Sequence, residues 1–233
     1  TYIAGDDDQA IFKWAGADVD HFIALKEEVD DIQTLDQSYR IPGGPIHELS
    51  QKIINKVQNR FPKEYKPREE QGLLTRYSDI TQVDMSQGNW LVLSSANYFL
   101  EDAKDLCEIQ GWYYQCKGMN SVSLKLLLAL NNWEHWRKGE LLNHLEIKNI
   151  YEYLGDNVLV GFQKGKTLHS DVKYKLEECQ ADHGLLVSTV WYESFNGLDP
   201  MTETYIRNMR ANGETLNKNP RIKMSTIHAA KGG

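Results

Sequence analysis

Three stretches bring together residue types that do chemistry at points where a strand is expected to end. The first is Gly5-Asp6-Asp7-Asp8-Gln9-Ala10-Ile11-Phe12-Lys13-Trp14-Ala15-Gly16-Ala17. Three carboxylates and an amide at the carboxyl end of a strand are suited to orient a water or a metal-bound phosphate, because open α/β sheets bind ligands there. Phe12 and Trp14 stand two apart on a polar loop, which puts both rings on one side of an extended chain. Exposed rings beside a phosphate site suit base stacking, worth about 1–3 kcal/mol per base. A surface loop with its aromatics tucked beneath it accounts for the same residues.

The second stretch is Leu35-Asp36-Gln37-Ser38-Tyr39-Arg40. Tyr39 offers a flat face to a base. Arg40 offers a planar fork that binds phosphate bidentately and stabilises charge developing in phosphoryl transfer. On its own the pair fits an exposed salt bridge better. The third is Met224-Ser225-Thr226-Ile227-His228-Ala229-Ala230-Lys231-Gly232. It reads as a strand passing into a helix whose first amides meet a phosphate. A lone histidine such as His228 is more often structural than catalytic.

The elements that must hold these residues are legible from periodicity and punctuation. Tyr2-Ile3-Ala4 reads as a short buried strand ending at Gly5, and Ile32 to Leu35 as another. Asp18 is placed to cap a helix carrying Val19, Phe22 and Ile23. Pro45 suits the first turn of a helix with Ile46, Leu49, Ile53, Ile54 and Val57 on one face. Residues 59–88 read as loop. Trp90 to Leu93 reads as a buried strand, Tyr98 to Gln110 as a helix stopped by Gly111, and Trp112 to Cys116 as a strand. Strand–helix–strand implies a parallel sheet with a right-handed crossover. Helices are expected over Leu124–Trp136, Glu140–Leu154 and Pro200–Asn212, with one apolar stretch at Val158–Phe162. Arg221 to Ser225 returns to strand. An α-rich segment bracketed by α/β segments reads as an insertion.

Composition sets the class. The chain has 233 residues, 41% hydrophobic and 25% charged, ordinary for a globular protein with a substantial core. The longest apolar run, Leu126 to Leu130, is far too short for a bilayer. No basic-then-apolar leader opens the chain, so nothing suggests secretion and a cytoplasmic protein is expected. Three cysteines at irregular spacing fit neither a disulfide framework nor a zinc site, and read as buried thiols. The net charge of −7 argues weakly against a nucleic-acid partner. Its distribution argues the other way. Residues 1–36 carry ten acidic and two basic groups, residues 52–76 seven basic and three acidic, and residues 207–231 six basic and one acidic. Two basic tracts on an acidic background fit either a phosphate-binding groove or solvated faces.

In this order the three stretches resemble the UvrD/Rep/PcrA family of superfamily 1 DNA helicases, which move 3′ to 5′ on single strands. Gly5 through Ala17 looks like the third motif of that family, Leu35 to Arg40 like its fourth, and Thr226 to Gly232 like its fifth. Asn89 to Cys116 resembles the strand–helix–strand that follows the fourth motif. The resemblance covers residues 1–119 and 221–233. It implies an α/β fold of RecA-like parallel-sheet motor pieces of the P-loop NTPase type, with an α-rich inserted subdomain. Residues 1–36 would close a first motor domain, 37–119 with 221–233 would build a second, and 120–220 would be the insertion.

The resemblance also assigns roles. Gln9 would sense the γ-phosphate of ATP and couple it to the DNA site. Tyr39 would stack on adenine, and Arg40 would reach the γ-phosphate like an arginine finger. Phe12, where the family usually has tyrosine, and Trp14 would stack on bases of the translocating strand. Thr226 and His228 would contact that strand, with Lys231 beside it and Gly232 near the nucleotide. The expected partners are single-stranded DNA and its junctions with duplex, and the expected cofactor is ATP with Mg2+. The family usually has an arginine near the position of Ser95, a departure that puts one of the phosphate contacts implied by the resemblance in doubt. The phosphate-binding loop and the magnesium-binding acidic pair would precede residue 1, and the chain alone is expected not to hydrolyse ATP. A non-catalytic DNA-binding or interaction module that keeps the fold is the alternative.

Gly161-Phe162-Gln163-Lys164-Gly165-Lys166-Thr167 looks like a phosphate-binding loop but is not expected to act as one. The pattern G-x-x-x-x-G-K-[ST] needs four residues between the glycines, and here there are three. A basic turn is the expected reading.

Overall fold

The computed structural model describes residues 2–10, 16, 18–155, 157–160 and 168–231. The chain divides into two compact units, Thr1–Ser78 and Asp79–Gly233. That single division falls at 78/79, whereas the sequence places boundaries at 36/37, 119/120 and 220/221. Both units mix helices with parallel strands, so the fold is α/β.

The first unit begins with an exposed extended segment. Tyr2 and Ile3 are fully or largely exposed, and no strand forms there among the described residues, contrary to the buried strand expected. A 3-10 turn, Asp7–Gln9, follows. Helix α1 spans Val19–Ala24. Asp18 caps it as expected, its Oδ1 accepting from the His21 amide at 3.0 Å. No strand forms over 32–35 either, because Leu35 is 93% exposed and its segment has no pairing partner. The strand starts two residues later. β1 (Gln37–Gly43) leads through Gly44, at φ +69°, into α2 (Pro45–Ile54), and β2 (Lys66–Gln71) lies parallel to β1. The expected loop over 59–88 therefore contains a strand.

Pro45 opens α2, as its fixed φ favours. The expected apolar face of α2 is only partly covered: Ile46, Leu49 and Ile54 are half-buried, while Ile53 and Val57 are exposed. Among the described residues of this unit no apolar side chain is fully buried. Polar ties hold α2 instead. His47 Nε2 meets the Tyr65 carbonyl oxygen at 3.0 Å, and Ser50 Oγ meets the Tyr65 hydroxyl at 3.1 Å.

The second unit carries a four-stranded sheet and nearly all of the core. β3 (Trp90–Ser94) leads through a 3-10 turn, Asn97–Leu100, into α3 (Glu101–Gln110). β4 (Tyr114–Cys116) and β5 (Met119–Asn120) form a hairpin. Then come α4 (Leu124–Arg137), β6 (Leu142–Asn143) with α5 (His144–Tyr151), and β7 (Lys173–Tyr174) with α6 (Leu176–Asp182). A short α7 (Trp191–Ser194) and α8 (Pro200–Ala211) precede β8 (Ile222–Thr226) and a one-turn helix, α9 (Ile227–Ala230). The sheet order is β3-β8-β4-β5, with β8 parallel to both of its neighbours. β3 and β4 are thus parallel, as strand–helix–strand implies, but β8 separates them.

β3 is an edge strand. Leu91 and Leu93 are exposed while Trp90 and Val92 are half-buried, so it is not the buried strand expected. The Glu140–Leu154 segment is likewise not one helix. Leu142 and Asn143 pair with Tyr174 and Lys173, and Asn143 then starts α5 by accepting from the Leu145 and Glu146 amides. In the apolar stretch at 158–162, Leu159 bridges to Leu185, and Phe162 lies outside the described residues.

One continuous core runs from Met85 to Met224 through α3, α4, α5 and α8. At its centre Trp133 stands edge-on to Trp136 and Phe195, with ring centroids 6.0 and 5.7 Å apart. Both indoles are satisfied: Trp133 donates to the Thr189 carbonyl and Trp136 to that of Tyr174, each at 3.0 Å. Cys107, Cys116 and Cys179 are buried free thiols. Burial pushes the Cys107 thiol up to about 12 and that of Cys179 to about 11, which leaves them unreactive. No helix among the described residues is long and apolar enough to cross a membrane.

Gly111 joins α3 to α8. It ends α3 in the left-handed region at φ +68°, and Asn212 Nδ2 donates to the carbonyls of Gln110 and Gly111 at 2.6 and 3.1 Å. A Cβ there would lie 2.5 Å from Asn208 Cβ and 2.7 Å from its carbonyl carbon. Gly111→Ala should therefore cost at least about 2 kcal/mol, from left-handed strain plus the clash. A lower denaturation midpoint followed by tryptophan fluorescence is the expected result, and an unchanged midpoint would refute it.

Candidate functional site

The acidic turn is built by a lysine and an arginine distant in sequence. Asp6 caps the 3-10 turn, its Oδ1 accepting from the Asp8 amide at 3.2 Å. Three consecutive carboxylates repel one another, and an exposed turn alone would not hold them together. Lys63 removes that repulsion. Its Nζ lies 3.0 Å from Asp6 Oδ1 and 3.1 Å from Asp8 Oδ2, and it also bonds Asp7 Oδ1. Arg60 grips Asp8 with two parallel bonds, Nε to Oδ1 at 2.9 Å and a terminal nitrogen to Oδ2 at 2.7 Å. The Phe61 amide donates to Asp7 Oδ2 at 2.6 Å.

The protonation states follow from these contacts. Burial alone would raise Asp6, but bonds from Gln9 and Lys63 outweigh it and hold its carboxyl below the usual range. Asp7 behaves likewise, with Lys63 and the Phe61 amide opposing burial. Burial would lower the Lys63 ammonium, and the three carboxylates hold it above its ordinary value instead. The bond to Asp8 raises Arg60, burial opposing.

Carboxylate oxygens of Asp6, Asp7 and Asp8 lie within 4.8 Å of one another, close enough to surround a cation. The Lys63 ammonium already sits at that focus. A divalent ion would have to displace a lysine bonded to all three, so the turn does not fit Mg2+. Gln9 extends the same network, its Nε2 donating to Asp6 Oδ2 at 2.6 Å. The Phe22 ring of α1 lies over Gly5 so closely that a Cβ there would meet it at 2.5 Å.

Tyr39 and Arg40 lie inside β1, two residues into the strand, rather than beyond a strand end as expected. Both are exposed, Tyr39 at 82%. Ser38 Oγ fixes the backbone beneath them by accepting from the Arg40 and Ile41 amides at 3.4 and 3.1 Å. Among the described residues Arg40 makes no ion pair, so the expected surface salt bridge is not formed there.

The third stretch does pass from strand to helix. Thr226 ends β8 and caps α9, its Oγ1 accepting from the Ala229 amide at 3.3 Å. His228 and Lys231 are exposed on the turn that follows. Gln9, Tyr39 and Arg40 thus belong to the first unit, and Thr226, His228 and Lys231 to the second. Phe12, Trp14, Gly232 and the loop Gly161–Thr167 lie outside the described residues. Sequence reasoning missed Arg60 and Lys63, which fall in the stretch expected to be loop. The available signal was the basic tract over 52–76 opposite the acidic tract over 1–36.

No protein-family model matches the chain, and no curated protein or solved structure is detectably similar to it.

The lowered carboxylates of Asp6 and Asp7 contribute stability that is present above their unfolded value near 3.8 and lost as pH falls through the lower folded values. The raised Lys63 contributes stability present below 10.5 and lost as pH rises past it. Lys63→Met should remove about 3 kcal/mol near neutral pH, since it leaves partly buried carboxylates unpaired. It should also move the acid transition to higher pH. Carboxyl-carbon chemical shifts of Asp6 and Asp7 titrating at unchanged pH in the variant would contradict this.

Proposed function

We propose that the chain is the coupling part of an ATP-driven DNA translocase of the UvrD/Rep/PcrA kind. Three motif-bearing stretches in the family's order support the reading. The structural observation that carries it is the position of the third. Thr226 ends β8, the strand with parallel neighbours on both sides, His228 and Lys231 follow it, and open α/β sheets bind ligands at that edge.

In this reading Gln9 leaves Asp6 to meet the γ-phosphate of ATP, so nucleotide state is exchanged against a hydrogen bond within the acidic turn. Arg40 supplies charge to the same phosphate, and exposed Tyr39 offers its face to adenine. Thr226 and His228 meet the DNA strand, and Phe12 and Trp14 stack on its bases. Asp6, Asp7 and Asp8 act as counter-ions that fix the turn, and Mg2+ is held by other groups. One observation favours the second reading, a DNA-binding module without catalysis: Lys63 and Arg60 already neutralise the carboxylates nearest to Gln9.

The test is titration of a fluorescent oligothymidine with the chain at several salt concentrations. Affinity should fall linearly on logarithmic axes as salt rises. Trp14→Ala should weaken binding roughly tenfold, the loss of one stacked base. Absence of salt-dependent binding would remove both readings. Binding without any effect of ATP analogues on affinity would favour the module over the motor.

A further inference from the structure

A second aromatic feature stands at the carboxyl edge of the β3-β8-β4 sheet, outside the three motif stretches. Tyr98 and Phe99 occupy the 3-10 turn between β3 and α3. They are 68% and 54% exposed, with ring centroids 4.0 Å apart and planes tilted by 42°. The next residue, Leu100, is fully buried and anchors the turn in the core. The backbone around them is fixed: the Phe99 amide donates to the Ala96 carbonyl at 3.3 Å, and Ser94 Oγ donates to the same oxygen at 2.7 Å. Two large rings are therefore presented to solvent from a fixed backbone turn. Paired rings held in this way lose little entropy when they receive a flat partner.

The neighbours indicate what that partner is. Ser94 is the register partner of Thr226, so the turn leaves the sheet beside the start of α9, and it contacts β8. His228 and Lys231 follow on that side. After the turn α3 opens with Glu101, which Lys104 Nζ pairs at 2.8 Å, and with Asp102, whose charge disfavours an anionic backbone there. A chain of flat, uncharged bases on a negatively charged backbone fits this polarity, with bases against the rings and phosphates towards α9. A purely apolar partner would gain nothing from the charges.

We infer that Tyr98 and Phe99 form a base-stacking platform for single-stranded nucleic acid. The inference rests on the reading that this chain engages a DNA strand, and it adds a contact that none of the three motifs assigns. Stacking on aromatic rings is sequence-tolerant, so the platform would accept any base.

The experiment compares three strands on the intact chain: oligothymidine, oligodeoxyadenosine and an abasic strand of equal length. The Tyr98→Ala/Phe99→Ala double variant should bind both base-bearing strands roughly ten- to a hundredfold more weakly. Its affinity for the abasic strand should stay within about twofold of the parent chain, because the phosphate contacts are untouched. Tyr98→Phe/Phe99→Tyr, which keeps both rings, should restore binding, and circular dichroism should match across all forms. Equal losses on the abasic and base-bearing strands would overturn the platform while leaving DNA binding intact. So would unchanged binding accompanied by a change in sedimentation, which would make the rings a contact between copies. If the parent chain bound no strand at all, the functional reading would fall and the platform with it.

Discussion

The second unit depends on one strand arriving from far along the chain. β3 and β4 are near in sequence and connected by α3, yet they do not pair with each other. Each lacks a parallel partner until β8 enters between them, where the residues of β3 run in register against Ile222–Thr226 and those of β4 against Ile222–Met224. Unpaired backbone groups in a buried sheet cost free energy comparable to lost hydrogen bonds, so the sheet is not complete without β8. Everything between β5 and β8 must therefore fold compactly enough to return the chain to that gap. The continuous core does this. Trp133, Trp136, Ile147, Ile150 and Phe195 of the intervening segment are buried in the same cluster as Leu106 of α3 and Ile222 and Met224 of β8. The intervening segment is inserted in topology, but it packs as one body with the sheet.

The first unit is stabilised differently. Its apolar residues are too few and too exposed to make a core among the described residues, and its two parallel strands are the smallest ladder possible. Charge does what burial does elsewhere. Lys63 and Arg60 bring the 60–63 segment onto the acidic turn, and the Phe61 amide adds a backbone tie. Such pairs offset their desolvation only when the geometry is good and the remaining lone pairs are bonded. The bidentate Arg60–Asp8 contact and the Gln9–Asp6 bond meet that condition. The Gln9 amide completes the clamp by donating to Asp6.

What the sequence disclosed divides along the range of the interactions. Asp18, Pro45 and Gly111 mark helix ends through contacts within a few residues, and each does so in the structure. The strand-to-helix passage at Thr226 is of the same local kind. β2 was not legible because Lys-Pro-Arg-Glu-Glu-Gln has the composition of a loop, and only its distant partner β1 makes it a strand. Leu91 and Leu93 look like core residues in sequence, but the face of β3 that carries them is exposed, and no local pattern says which face a layer will cover. The start of α5 was misplaced because Leu142 and Asn143 pair with residues 173–174, a partner no local pattern announces. Within the candidate site, Gln9, Tyr39, Arg40, Thr226 and His228 stood out by motif. Lys63 and Arg60 did not, since a basic residue in a polar stretch acquires a role only when the fold supplies its counter-ion.

The two ends of the sheet in the second unit are chemically unlike. At the amino end, Arg221 leads into β8 and ties three segments together. It pairs with Glu214 at 2.6 Å, donates to the Met85 carbonyl and reaches the Gly88 carbonyl at 3.4 Å. Glu214 is almost wholly buried there, and the guanidinium satisfies it, so this end is closed by its own bonds. At the carboxyl end the same strand runs out into Thr226, exposed His228 and exposed Lys231, beside the unburied rings of Tyr98 and Phe99. A charge buried without its partner would destabilise the fold, whereas solvent-exposed rings cost little. Five residues of backbone, Ile222–Thr226, therefore separate an end closed by buried ionic bonds from one that opens to solvent.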